Sequence, residues 1–151
     1  MNTQTNTGAW QGPLYISLAI IGLVGAWAQV IGMLPQGFMG ATIAFWKEAV
    51  TTPSSTFLVV DILVLAAVVF TWMFGECRRL GIGAAWAWVY FLGSLLIAIS
   101  CFFPLFMAHR ERKLRASGQT AAPQGGDLIG VVLAVATALA GAIYSLTHIP
   151  A

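Results

Sequence analysis

The chain has 151 residues, 59% of them hydrophobic and 8% charged, with a mean hydropathy of +0.86 and a net charge of +2. Soluble domains carry about 25% charged residues, so an ordinary water-facing surface is excluded and lipid is the natural solvent. The small positive charge is too weak for a nucleic-acid footprint, and a chain of this length is expected to form one unit, a single integral membrane domain over residues 1–151.

A membrane helix needs about 20 mostly apolar residues. The first such stretch is 14–34, closed by Pro35 and Gly37. Residues 1–12 hold no Lys or Arg. The stretch is therefore expected to be an uncleaved span and not a signal peptide, despite the small-x-small triplet Ala26-Trp27-Ala28. FMGATIAFWKEAV, residues 38–50, is too short to cross. Phe38, Phe45 and Trp46 suit the headgroup level, so an interfacial or re-entrant helix ending at Lys47-Glu48 is expected, with a packed loop as the alternative.

The second span is predicted over 55–75, after Pro53 and with Ser54 or Ser55 as N-cap. It contains LVVDILVLAAVVF, an apolar run with one carboxylate, Asp61. The third span is predicted over 84–107, with a kink at Pro104, which cannot donate to the helix ladder. ASGQTAAPQGG, residues 116–126, reads as a linker. The fourth span, 127–148, carries Gly130, Ala134, Thr137, Gly141 and Ser145 at helical spacing, which permits close approach of a neighbouring helix. The expected fold is all-α, a four-helix transmembrane bundle with an added interfacial helix between spans one and two.

Charge placement suggests an orientation. Lys47 and the run Arg110, Arg112, Lys113, Arg115 fall in the first and third loops, against Arg78 and Arg79 in the second. This places loops 35–54 and 108–126 in the cytoplasm and both termini outside.

Intramembrane ionisable groups are rare and costly, and so are the first candidates for function. Asp61 is expected to meet Arg110, or to form a polar pocket with His109, at the cytoplasmic edge. Glu76 and Arg79, one turn apart, are expected to pair, and on a helix they share a face with Asp61 and Trp72. A pocket mouth joining Glu76 to His148 is a further arrangement. Trp72, Trp86 and Trp88 suit an aromatic belt. Cys77 and Cys101 are read as unpaired packing residues, and neither metal-ligand spacing nor a cofactor motif is present.

STFLVVDILVLAAVVFTWMFGECRRLGI, followed by a Trp-rich helix and PLFMAHRERKL, resembles a domain-of-unknown-function family of small bacterial membrane proteins. The matching pattern is Asp61, then Glu76 and Arg79 as E-x-x-R, then Pro104, Leu105, Phe106, Arg110 and Glu111 as P-L-F-x-x-x-R-E. The resemblance covers residues 55–113 and implies no reaction; it gives His109 no proton-transfer role. In layout the chain is also distantly similar to the plant membrane proteins linked to neoxanthin formation, a likeness that does not establish function.

Two functions fit these residues. One is a non-enzymatic binding or accessory subunit of a membrane complex, with membrane lipids, a protein partner or an apolar small molecule as its contacts. The other is a membrane enzyme transferring protons on a lipid or isoprenoid, with Asp61, Glu76 or His109 as catalytic candidates. A proton-coupled exporter fits less well, since it needs an acid near the midplane and Asp61 is expected to be too shallow, and pore readings fail for want of lining polar residues.

Overall fold

In the computed structural model, residues 10–119 and 126–149 are described; most of the predicted linker, residues 120–125, lies outside them. The described residues are helical with no strand. Four helical segments, Gln11–Ala49, Pro53–Arg79, Ala84–Ala116 and Asp127–Thr147, are long and apolar enough to cross a membrane. They fit the expected four-helix bundle, but two of the four are bent.

The first segment comprises α1 (Gln11–Val30), a 3-10 stretch (Ile31–Gln36) that contains Pro35, and α2 (Gly37–Ala49). Pro35 cannot donate to an α ladder, and Gly37 takes φ +79°, a left-handed value that glycine adopts without steric cost. The helix expected from residue 38 therefore forms, separated from α1 by a bend.

Helix α3 (Pro53–Arg79) starts two residues before the predicted boundary, because its N-cap is Thr52 and not Ser54 or Ser55. The Thr52 hydroxyl accepts from the Ser55 amide at 3.1 Å, and the Ser55 hydroxyl accepts from the Thr52 amide at 3.2 Å. Pro53 sits at the first helical position, where its missing N–H costs nothing. At the other end Gly81 takes φ +62°. The Ile82 amide reaches back to the Cys77 carbonyl at 2.8 Å and that of Gly81 to Arg78 at 3.3 Å. This is a Schellman stop, with Ile82 buried beside it, and it turns the chain back along α3.

The third segment is doubled. Helix α4 (Ala84–Gly93) leads into a π-helical turn (Ser94–Ala98), and α5 (Ile99–Ala116) follows. The break falls at Ala98, whose backbone is extended, and not at Pro104, which the helix α5 accommodates. Tyr90 Oη lies 2.9 Å from His109 Nδ1, and the Tyr90 and Phe106 rings pack at 5.7 Å. In a straight helix residues 90 and 109 would be about 28 Å apart, so α4 and α5 are antiparallel arms of a hairpin. Gly93 lets the arms close, since any Cβ there would overlap the Phe102 ring. The buried core of Phe70, Met73, Cys77, Ile82, Ala87, Tyr90 and Phe106 joins this hairpin to the C-terminal half of α3.

Helix α1 runs antiparallel along α5, with Gly12 beside Arg115 and Gly22 against Ser100. The Gly22 contact is backbone to backbone: a Cβ would stand 2.6 Å from the Ser100 carbonyl oxygen. That carbonyl is the one Pro104 cannot satisfy, and the Ser100 hydroxyl donates to the Gly22 carbonyl at 3.2 Å. Helix α6 (Gly126–Thr147) lies parallel to α1, through Gly25 beside Ala142 and the Gln29 amide donating to Ser145 Oγ at 3.0 Å.

The hairpin alters the placement of charge. Arg78 and Arg79, expected across the membrane from Arg110, Arg112, Lys113 and Arg115, share one end of the bundle with them, because the third segment returns to where it began. The start of α1 lies at this basic end; the start of α3 and His148 lie at the other. The expected arrangement, with loops 35–54 and 108–126 on one side and both termini on the other, does not describe this topology.

Candidate functional site

The basic end holds the densest polar cluster. Glu76 projects from the last turn of α3 and is 7% exposed. Its carboxylate takes two charge-assisted bonds from Arg79, Nε to Oε2 at 2.7 Å and Nη2 to Oε1 at 2.6 Å. Arg110, from α5, donates Nε to the same Oε1 at 2.8 Å and Nη1 to Glu111 Oε1 at 3.0 Å. The Arg110 guanidinium also lies over the Trp72 ring, 5.7 Å from its centroid, an arrangement suited to a planar, weakly hydrated cation. Two arginines and two carboxylates thus neutralise one another across α3 and α5, and the paired fork geometry fixes how the two helices meet.

Glu111 is 3% exposed and faces α1. Its Oε2 has no hydrogen-bond partner among the described residues, and neither has Oε1 of Gln11, buried at the start of α1. A second, smaller cluster flanks the first. His109 Nδ1 is bonded to the Tyr90 hydroxyl, with Trp86 edge-on to the His109 ring at 5.9 Å and stacked on Tyr90 at 5.9 Å.

Of the candidates from sequence, the structure brings together Glu76, Arg79 and Arg110, with Pro104 earlier on α5. It also places Trp72, Trp86 and Trp88 at the same end, each about half exposed. It does not bring Asp61 to them. Arg110 is committed to Glu76 and Glu111, and the expected Asp61–Arg110 pair is absent because the hairpin turns back before it reaches that level of α3. Asp61 and Glu76 are fifteen residues apart, about 22 Å along the axis. The Asp61–His109 pocket fails for the same reason, and Glu76 and His148 lie at opposite ends. Asp61 itself is exposed on the outward face of α3, with no hydrogen bond or ion pair among the described residues. Cys77 and Cys101 are free and buried, and no described group of His, Cys, Asp and Glu is arranged to hold a metal.

Sequence reasoning missed Glu111, Gln11 and Tyr90 as members of the polar end. Glu111 carried a signal, since it closes the P-L-F-x-x-x-R-E pattern. Tyr90 carried none, because its partner is reached only through the hairpin.

Most of that pattern now has a structural meaning: Glu76, Arg79, Arg110 and Glu111 form the ion cluster that joins α3 to α5, while Asp61 stands apart from it. A family model described as "Protein of unknown function DUF2834" matches residues 14–112. The chain belongs to that family. The match takes in α1, absent from the 55–113 resemblance, and stops before α6, so the family unit is α1 to α5 with the ion cluster inside it. No curated protein and no solved structure matches the chain.

Proposed function

We propose that this multi-pass membrane protein is a non-catalytic subunit of a multi-chain assembly in a bacterial inner membrane, with its basic end toward the cytoplasm. The observation that carries the reading is Asp61. A carboxylate pointing outward from an apolar helix is expensive in lipid, and such groups normally pair. Among the described residues no basic side chain meets it, and its outward neighbours are Phe57, Val64, Leu65 and Val68, all more than half exposed. A partner helix offering a Lys, Arg or hydrogen-bond donor would remove that cost.

Helix α6 supports the same reading. It touches the rest of the chain mainly through α1, and the small residues Gly130, Ala134, Thr137 and Gly141 lie to one side of that contact, exposed. Glu76 offers little to an enzyme, since both its oxygens already accept bonds from arginine. Six of the seven Lys and Arg stand at one end, which supports a cytoplasmic placement of that end.

Asp61→Asn separates the possibilities. In native gels of gently solubilised membranes, the substituted protein is expected to remain folded while its high-mass assembly falls roughly tenfold or more, as for loss of a charged hydrogen bond. An assembly of unchanged yield, or a wild-type protein that migrates only as a monomer, defeats the reading.

A further inference from the structure

Between the hairpin tip and the opposite end lies a cavity of about 430 Å³, bounded by α1, α2, α3 and the Ser94–Ala98 turn. Its volume falls in the usual range of small-molecule sites, roughly 300–1,000 Å³. Along α3 it extends from Phe70 to Val59, about 16 Å at 1.5 Å per residue. Five aromatic side chains line it, Trp27, Phe38, Phe45, Trp46 and Phe70, and no Asp, Glu, Lys, Arg or His does. An ionised ligand is therefore disfavoured, and flat unsaturated groups are favoured, because ring faces and edges pack against one another.

The wall contains three hydroxyls. Thr42 donates to the Phe38 carbonyl at 2.8 Å, and Ser100 donates to the Gly22 carbonyl at 3.2 Å. Ser94 is 6% exposed and its Oγ has no partner among the described residues. A buried hydroxyl left unsatisfied costs on the order of 1–3 kcal/mol. Ser94 opens the π-helical turn, where the α ladder is interrupted. Non-helical backbone at membrane depth is tolerated where it lines a cavity, and π segments of this kind recur at functional sites. Phe91, one turn before Ser94, packs on Phe70 at 5.0 Å, which sets Ser94 near the middle of α3. A phospholipid keeps its ester oxygens at the interface and brings only hydrocarbon to that depth.

We propose that this cavity binds a neutral, unsaturated lipophile carrying a carbonyl oxygen, of quinone type, with the Ser94 hydroxyl donating to that oxygen. This site is separate from the outward face of Asp61, and neither depends on the other.

The test uses the full chain in phosphatidylcholine nanodiscs, titrated with a decyl-substituted benzoquinone, a quencher of tryptophan fluorescence. Trp27 and Trp46 line the cavity and the other four tryptophans do not. Saturable quenching is expected, lost in a Trp27→Phe, Trp46→Phe protein. Ser94→Ala is expected to weaken binding about three- to tenfold, the range for one hydrogen bond, and Ser94→Thr to restore it. Decylbenzene, which lacks the carbonyl, is expected to compete poorly. Quenching linear in quinone and equal in all variants means that lipid alone fills the cavity and overturns the proposal. Equal competition by decylbenzene, or unchanged binding in a folded Ser94→Ala protein, removes the carbonyl contact and overturns it also.

Discussion

The two arginines on Glu76 are not equivalent. Arg79 is half exposed, with a side chain 52% accessible, and it pairs within its own helix. Such exposed pairs add little to stability, because solvent screens them. Arg110 is 22% accessible, bridges two helices and covers Trp72, so its loss leaves Glu76 and Glu111 buried beside each other with less compensation. Breaking a buried pair from one side costs about 3–5 kcal/mol, and the partial exposure of Arg110 brings this to about 2–4. Reversible denaturant unfolding in mild detergent should therefore separate Arg110→Gln, strongly destabilised, from Arg79→Gln, whose midpoint should barely move. Arg110→Lys should recover only part of the loss, because an ammonium makes neither the fork nor the flat stack on the indole. The Glu76–Arg79 pair was legible in the spacing of one helix turn. The Glu76–Arg110 pair was not, since nothing local to either residue shows that a later helix returns to it.

At the scale of elements, the hairpin depends on places where a side chain would obstruct. Gly93 meets Phe102 and Gly22 meets the Ser100 backbone, one closing the arms and the other docking the tip on α1. Gly93→Val should splay the arms, and Gly22→Val should lift the tip from α1. With Cys77 and Cys101 replaced by Ala, cysteines at 86 and 109 should be joined efficiently by a short bifunctional maleimide in the parent protein. In a straight helix the two would be about 35 Å apart and could not be bridged. Gly93→Val should reduce that bridging severalfold, while poor bridging in the parent would refute the hairpin itself. The sequence pointed to Pro104 as the interruption because proline is the visible helix breaker. The chain instead breaks at Ala98, a residue with no such mark, and places Pro104 where its freed carbonyl partner can rest against Gly22.

For the whole molecule, length and hydropathy made the four apolar segments and the all-helical fold legible, since both follow from composition alone. Handedness of insertion was not, because counting charges by loop assumes that every apolar segment crosses. A doubled third segment breaks that assumption and moves Arg78 and Arg79 into the same group as the Arg110–Arg115 cluster. The two topologies differ in one accessible observable. In a protein lacking its native cysteines, single cysteines at Gly81 and Ser117 should react with a membrane-impermeant maleimide only in inverted vesicles. A cysteine at Thr51 should react only in right-side-out spheroplasts. Three straight crossings before residue 117 would put Gly81 and Ser117 on opposite sides, so labelling of those two from different sides would refute the doubled segment. Labelling of both from outside would keep the hairpin and reverse the cytoplasmic placement of the basic end.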